Sequence, residues 1–151
     1  MCVIIDANLA GDAFRKPCHA DLVPVWNWIM DRDGCVVYGG RLEDELGPVH
    51  DGGRLLMRLS QAGKAKRCRE DEIDAEEKRL KAGGLCRSDD PHVIALARVS
   101  GARVLCSRDQ KLHGDFKNPN LINGPRGTIY QNASHARLLK HSSHCPGRPR
   151  K

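Results

Sequence analysis

Residues 90–109 read DPHVIALARVSGARVLCSRD, and the fold class turns on them. Pro91 occupies the first helical position and Gly101 the C-terminal end, so DPHVIALARVSG (90–101) reads as one helix with the expected proline and glycine asymmetry. RVLCS (103–107) follows at once as a strand. A helix that runs directly into an apolar strand is the repeating unit of a parallel sheet. Upstream, CVIID (2–6) is a short run rich in β-branched residues and reads as a buried strand. CVVYGG (35–40) is a second strand, ended by a glycine pair.

Between those two strands we expect a loop and then a helix over ADLVPVWNWIMDRD, with Leu22, Val25, Trp26 and Ile29 on one face and Pro24 in the first turns. RLEDEL opens a short helix, and DGGRLLMRLSQAG continues as another from about residue 53 to Gly63. Residues 64–82 hold seven basic and six acidic side chains around Ile73 and Leu80, which predicts a solvated helix with a thin apolar stripe. NLIN and GTIYQ are short strand candidates, NASHARLLKH a last helix, and SSHCPGRPRK a tail with the composition of disorder. The order of strands and helices implies right-handed crossovers and a parallel sheet. The expected organisation is one domain over residues 1–140 and a basic tail over 141–151.

The 151 residues suffice for one core without disulfide staples. Seven cysteines, odd in number and without a C-x-x-C pair, argue against a disulfide framework or a zinc ribbon. Cys2, Cys35 and Cys106 fall in apolar runs and read as small packing groups. The apolar start is too short for a signal peptide and nothing approaches a membrane span, so a soluble, cytoplasmic protein is expected.

The net charge of +6 is uneven. Residues 1–115 carry 18 basic against 19 acidic side chains, while Lys117, Arg126, Arg137, Lys140, Arg148, Arg150 and Lys151 face no acid at all. Such a basic arm attracts polyanions, and nucleic acid is the natural candidate, although a solubilising tail reads equally well. The few aromatics do not interleave with basic residues, so no stacking platform for single strands is visible.

Four acids stand where apolar strands or small-residue helices begin or end: Asp6, Glu45, Asp90 and Asp109. In an α/β fold the carboxyl ends of parallel strands converge on one edge, which would gather these side chains. Crowded carboxylates resist ionising unless a divalent cation neutralises them, and hard oxygen ligands suit Mg²⁺ or Mn²⁺.

IIDAN, the E-L pair at Glu45 and Leu46, D-x-x-V-I-A-L-A and L-C-S-R-D, in this order, make residues 2–117 resemble the PIN domain family of metal-dependent nucleases. The resemblance implies a three-layer α/β/α sandwich with a parallel sheet, one or two Mg²⁺ or Mn²⁺ ions, and hydrolysis of phosphodiester bonds, most often in RNA. It matches Asp6, Glu45, Asp90 and Asp109 to the acidic quartet. It makes Asn8 and Ser107 the polar groups that hold those carboxylates or a bound water. Glu43 is an alternate for Glu45, Asp89 for Asp90, and Asp115 an additional outer carboxylate. A toxin held by a protein antitoxin, and a homodimer, are contexts the resemblance brings with it.

Each acid also has a local reading. Asp90 before Pro91 is placed as a helix N-cap. Ser107 and Gln110 fit a capping box that leaves Asp109 as a first-turn acid, and Glu45 reads as an exposed helix charge. Asp6 has only a local turn bond to offer. His92 and His113 read as surface histidines beside the acids. His135, His141, His144 and Cys145 match no standard zinc spacing, and GPRG (124–127) is a turn rather than a phosphate loop. The competing functions are a catalytically silent PIN-like module that binds RNA or protein, and a phosphatase, which Asn8 counts against because an aspartyl phosphatase of the haloacid dehalogenase type has a second Asp there.

Overall fold

Runs as apolar as VII and VLC are stable only where both faces are covered, and a central parallel sheet between layers of helices supplies that environment. The structure is a computed structural model and describes residues 2–140. Its strands are β1 (Val3–Ile5), β2 (Val36–Tyr38), β3 (Ala65–Arg67), β4 (Val104–Cys106) and β5 (Thr128–Tyr130). They form one sheet in the order β3-β2-β1-β4-β5, with every pairing parallel. β1 and β4 lie in register at the centre, Val3 beside Val104 and Ile5 beside Cys106, and all six of their side chains are fully buried.

The helices are α1 (Ala7–Phe14), α2 (Val23–Asp31), α3 (Gly40–Leu46), α4 (Gly52–Gln61), α5 (Glu70–Gly83), α6 (Pro91–Ser100) and α7 (Gln110–Lys117). From β1 the chain steps outward to β2 and β3, then returns past β1 to β4 and β5. Right-handed crossovers therefore place α1–α4 on one face and α5–α7 on the other, a three-layer α/β/α sandwich. The direction of stepping reverses between β1 and β4. In open sheets of this kind the crevice outside the strand ends at such a reversal is where ligands bind.

α6 is the best buried helix, with every residue from Pro91 to Ala97 in the core, and it packs along α5 and against β2. Gly101 ends it in the left-handed conformation at φ 81°, donating its N–H to Ala97 O. The Gly39–Gly40 pair has a specific steric task. Gly39 has φ 149°, and a Cβ there would lie 2.6 Å from Cys68 O, so β3 closes on β2 only because no side chain intervenes.

Several expectations need correction. Residues 7–14 form α1 rather than a loop, because Asp6 supplies an N-cap and Leu9, Ala10, Ala13 and Phe14 supply a buried face. Residues 64–82 are not one helix: Ala65–Arg67 pair with Val36–Tyr38 as the edge strand β3, and α5 starts only at Glu70. Cationic side chains are common on edge strands, where they discourage further pairing, so the charge of this segment did not preclude a strand. NLIN lies in a turn, whereas GTIYQ contains β5; the last helix, Ala133–Lys140, is a 3-10 helix. Trp28, not Trp26, completes the core face of α2. Cys18, Cys35, Cys68, Cys86 and Cys106 are free thiols, whereas Cys2 is disulfide-bonded, although a chain of this length is expected to need no disulfide staple. The tail at 141–151 lies outside the described residues. No described helix is long and apolar enough to cross a membrane.

Because Ile94 is fully buried in the α6 layer, Ile94→Ala should cost about 3 kcal/mol. In urea denaturation the midpoint falls while the slope is unchanged.

Candidate functional site

The crevice at the β1/β4 reversal is organised by two residues that follow the two central strands, Asp6 and Ser107. Asp6 is 5% exposed and caps α1, its Oδ1 accepting the Ala7 N–H at 2.8 Å. Its other oxygen, Oδ2, accepts the Ser107 hydroxyl at 2.7 Å. Ser107 Oγ in turn accepts the Asp109 N–H at 3.1 Å and the Asn8 amide at 3.3 Å, which uses its one donor and both acceptor positions. Asn8 Oδ1 accepts the Arg108 N–H at 3.3 Å. α1 and the start of α7 are thus pinned to each other across the strand ends.

The other acids reach the same crevice from separate elements. Asp109 is the N-cap of α7, its Oδ1 accepting the Lys111 and Leu112 N–H groups at 3.0 and 3.2 Å, so the cap is Asp109 itself and not Ser107 as the sequence suggested. Asp90 occupies the N-cap position of α6 but makes no side-chain cap hydrogen bond, contrary to its local reading. Glu45, on α3, meets the buried His92 of α6 with 2.7 Å between Oε1 and Nε2. The other ring nitrogen of His92, Nδ1, is buried without a hydrogen-bond partner among the described residues.

Electrostatic influence links these acids in pairs. Burial is the largest influence raising the Asp6 carboxyl above its ordinary value; the Ser107 and Ala7 hydrogen bonds pull it down, and repulsion from Asp90 and Glu45 adds to the rise. Asp90 is also raised, first by burial, with Glu45 and Asp109 pushing up while His92 and Arg41 pull down. Asp6 therefore lies within electrostatic reach of Asp90 and Glu45, and Asp90 within reach of Glu45 and Asp109, although among the described residues no three of these acids stand close enough to hold one ion.

The alternates stand apart. Glu43 forms an ion pair with Arg67 at 2.5 Å, on the β3 side of α3. Asp89 is exposed at the turn before α6. Asp115 is 2% exposed and its two oxygens accept the N–H groups of Arg87 (3.0 and 3.1 Å) and Ser88 (2.9 Å), so it anchors the loop that carries Asp90 instead of joining the cluster. His92 and His113 are both buried, at 3% and 5% exposure, not surface residues; His113 Nε2 lies 2.6 Å from Ser107 O.

The basic arm is also placed away from the acids where it is described. Lys117 ends α7 and Arg126 donates to Lys117 O at 3.3 Å, just before β5 begins, at the amino edge of the sheet. Arg137 stands against α2 beside Asn27 and Arg32, and Lys140 closes the last 3-10 helix. Arg148, Arg150, Lys151, His141, His144 and Cys145 lie outside the described residues.

The open oxygens are hard donors. Both oxygens of Asp90, Oε2 of Glu45 and Oδ2 of Asp109 accept no hydrogen bond among the described residues, and all are carboxylate oxygens of the kind Mg²⁺ and Mn²⁺ prefer. Among the described residues no three acidic, histidine or cysteine side chains stand close enough to hold an ion together, so at most two of these carboxylates would bind one directly and water would complete its shell. Sequence reasoning missed His92 as a buried partner of Glu45. The signal was present in PHVIALA, where a histidine flanked by apolar residues on a fully buried helix has no route to solvent. No family model, curated protein or solved structure matches the chain.

A carboxyl raised on folding holds its proton to higher pH than in the unfolded chain, so its contribution to stability declines as pH rises from the ordinary aspartate value through the folded one. In metal-free protein Asp90→Asn should then raise Tm at pH 7 by about 3 °C, and the gain should vanish near pH 3, where the wild-type carboxyl is protonated; a thermal scan across pH reads both. Asp115→Ala strips acceptors from three backbone hydrogen bonds and should cost about 3 kcal/mol. Hydrogen exchange at Arg87 and Ser88 should accelerate together with that loss.

Proposed function

We propose that the protein is a divalent-metal-dependent ribonuclease that hydrolyses phosphodiester bonds of RNA, in line with the resemblance to PIN nucleases. The observation that carries the reading is that Asp6, Glu45, Asp90 and Asp109 come from four chain segments to the strand reversal, where Asp6 is raised by burial and by Asp90 and Glu45, and Asp90 by burial and by Glu45 and Asp109. A purely structural set of acids would be dispersed or paired with cations. Only Glu45 of these four has an ion-pairing partner among the described residues, and that partner is a histidine.

One or two of Asp90, Glu45 and Asp109 would hold the ion directly through their open oxygens, the remaining acids acting through water. When bound, Mg²⁺ or Mn²⁺ lowers the pKa of a coordinated water and offsets charge on the phosphate oxygens. The chain's own residues set the geometry. Ser107 holds Asp6 Oδ2, and Asn8 fixes Ser107 in turn. His92 fixes the rotamer of Glu45 from beneath. Each of these contacts orders a carboxylate before any ligand arrives, which is how supporting hydrogen bonds sharpen a metal site. Arg41 and Arg108 stand at the rim, where their charge favours an anionic substrate.

The test is cleavage of a single-stranded and a structured RNA with Mn²⁺, comparing wild type with Asp6→Asn and Asp90→Asn. We expect cleavage by wild type that EDTA abolishes, and a loss of at least about a hundredfold in each variant. Equal activity in all three sinks the reading, and RNA binding without turnover in wild type would instead support a silent binding module.

A further inference from the structure

One face of α1 leads away from the acid cluster: Asn8, Asp12 and Arg15 follow one another at intervals of four and three residues, on the same side of the helix. It ends at a cleft of about 380 Å³ between the end of α1 and the start of α4, lined by Arg15, Lys16, Arg54, Arg58, His50 and Asp51. The rise of a helix puts Arg15 about 13 Å from Asp6. None of the four cations of the cleft has an ion-pair partner among the described residues, and Asp51 is the one carboxylate in its lining. Asp12, the nearest acid on α1, is held by Arg108 at 2.5 Å, and that hydrogen bond keeps its carboxyl below the ordinary value.

The cleft is built by the backbone around it. His50 and Asp51 both adopt the left-handed conformation, at φ 46° and 59°, and turn the chain sharply from α3 into α4. This sets Arg54 and Arg58, one helical turn apart and both exposed, opposite Arg15 and Lys16. A second hollow of about 310 Å³ adjoins the first, shares Phe14, Arg15, Lys16 and Leu55 with it, and is walled by Trp26 and Met30. Met30 is 52% exposed, and the Trp26 ring lies 6.3 Å from that of Phe14.

We propose that this cleft binds the phosphates of a single RNA strand, with a base lodged in the adjoining apolar hollow, so that the strand runs along α1 to the acid cluster. The proposal rests on the ribonuclease reading for the identity of the strand. Unpaired cations beside an apolar, aromatic-walled recess match what a single strand presents, charged phosphates alternating with flat bases. Three of the four cations are arginines, whose planar fork suits phosphate oxygens. The C-terminal arm cannot serve this role with its described residues, because Lys117 and Arg126 sit at the amino edge of the sheet.

The test is fluorescence anisotropy of a labelled single-stranded RNA titrated with protein in EDTA, so that nothing is cleaved, over a series of salt concentrations. The variants are Arg54→Gln with Arg58→Gln and, separately, Arg15→Gln with Lys16→Gln. Lys78→Gln with Lys81→Gln on the exposed side of α5 is the control for net charge, and Tm of each is measured alongside. Each cleft pair should weaken binding about tenfold at low salt and flatten the slope of log Kd on log salt by about 1.4, the loss of two phosphate contacts to a single strand. The control should leave the slope unchanged. Equal weakening by control and cleft pairs, no weakening by either cleft pair, or displacement of the RNA by poly-glutamate at matched charge overturns the proposal. Mn²⁺-dependent cleavage with cleft-independent binding removes the cleft and leaves the nuclease, whereas cleft-dependent binding without cleavage does the reverse.

Discussion

The hydrogen bond from Ser107 Oγ to Asp6 Oδ2 joins the two central strands at the point where the sheet reverses direction. A carboxylate as buried as Asp6 is costly unless its oxygens are satisfied, and the cost rises when other carboxylates face it. Ser107 and the Ala7 N–H supply that satisfaction within the protein. Because Ser107 also accepts from Asn8 and from the Asp109 backbone, one hydroxyl fixes the end of β1, the first turn of α1 and the turn into α7 together. The crevice walls cannot shift independently while that hydroxyl is in place.

Charge is divided sharply around this point. At the crevice neighbouring acids add to the rise of Asp6 and Asp90, while cations gather at the end of α1, on α3 and α4 and in the β4–α7 turn. Two contacts separate the regions: Arg108 ties down Asp12, and His92 ties down Glu45. Without them Asp12 would lie closer in effect to the cations of the cleft, and Glu45 would be free to turn toward solvent. The arrangement keeps a field that draws a polyanion toward the molecule adjacent to one that repels it locally. On the proposed function, a bound divalent cation would reconcile the two by cancelling the repulsion at the crevice.

Much of this was legible in the chain, for reasons that differ by residue. The segment 90–109 was readable because Pro91, Gly101 and the apolar run between them act through local rules that tertiary structure does not override. The ends of β1 and β4 were readable because an acid closing an apolar strand is conspicuous. β3 was not, since its residues Ala65, Lys66 and Arg67 carry no strand pattern of their own and are held by pairing with β2. α1 was hidden because ANLAGDAF is short and contains Gly11, and its helical state depends on the Asp6 cap and the buried face. Asp115 could be seen as an acid near the others, but its engagement by Arg87 and Ser88 joins residues 27 and 28 positions apart, which no local pattern encodes. The basic cleft was invisible for the same reason, being assembled from α1 and α4 by the left-handed turn at His50 and Asp51.

Asp90 shows how these forces combine. Its position invites a cap, and an Asp that caps a helix contributes about 1 kcal/mol. Pro91 has no N–H to offer, and the Val93 N–H is already taken by Asp90 O, so the local demand on its side chain is reduced. The carboxylate is left uncapped in a half-buried position facing Glu45 and Asp109, and its raised pKa means that the fold opposes its charge rather than using it. Asp115 nonetheless holds the loop that carries it through three backbone hydrogen bonds. Held firmly, and with its charge only partly offset by His92 and Arg41, Asp90 is the carboxylate that the proposed function would pair with a hard cation through its open oxygens.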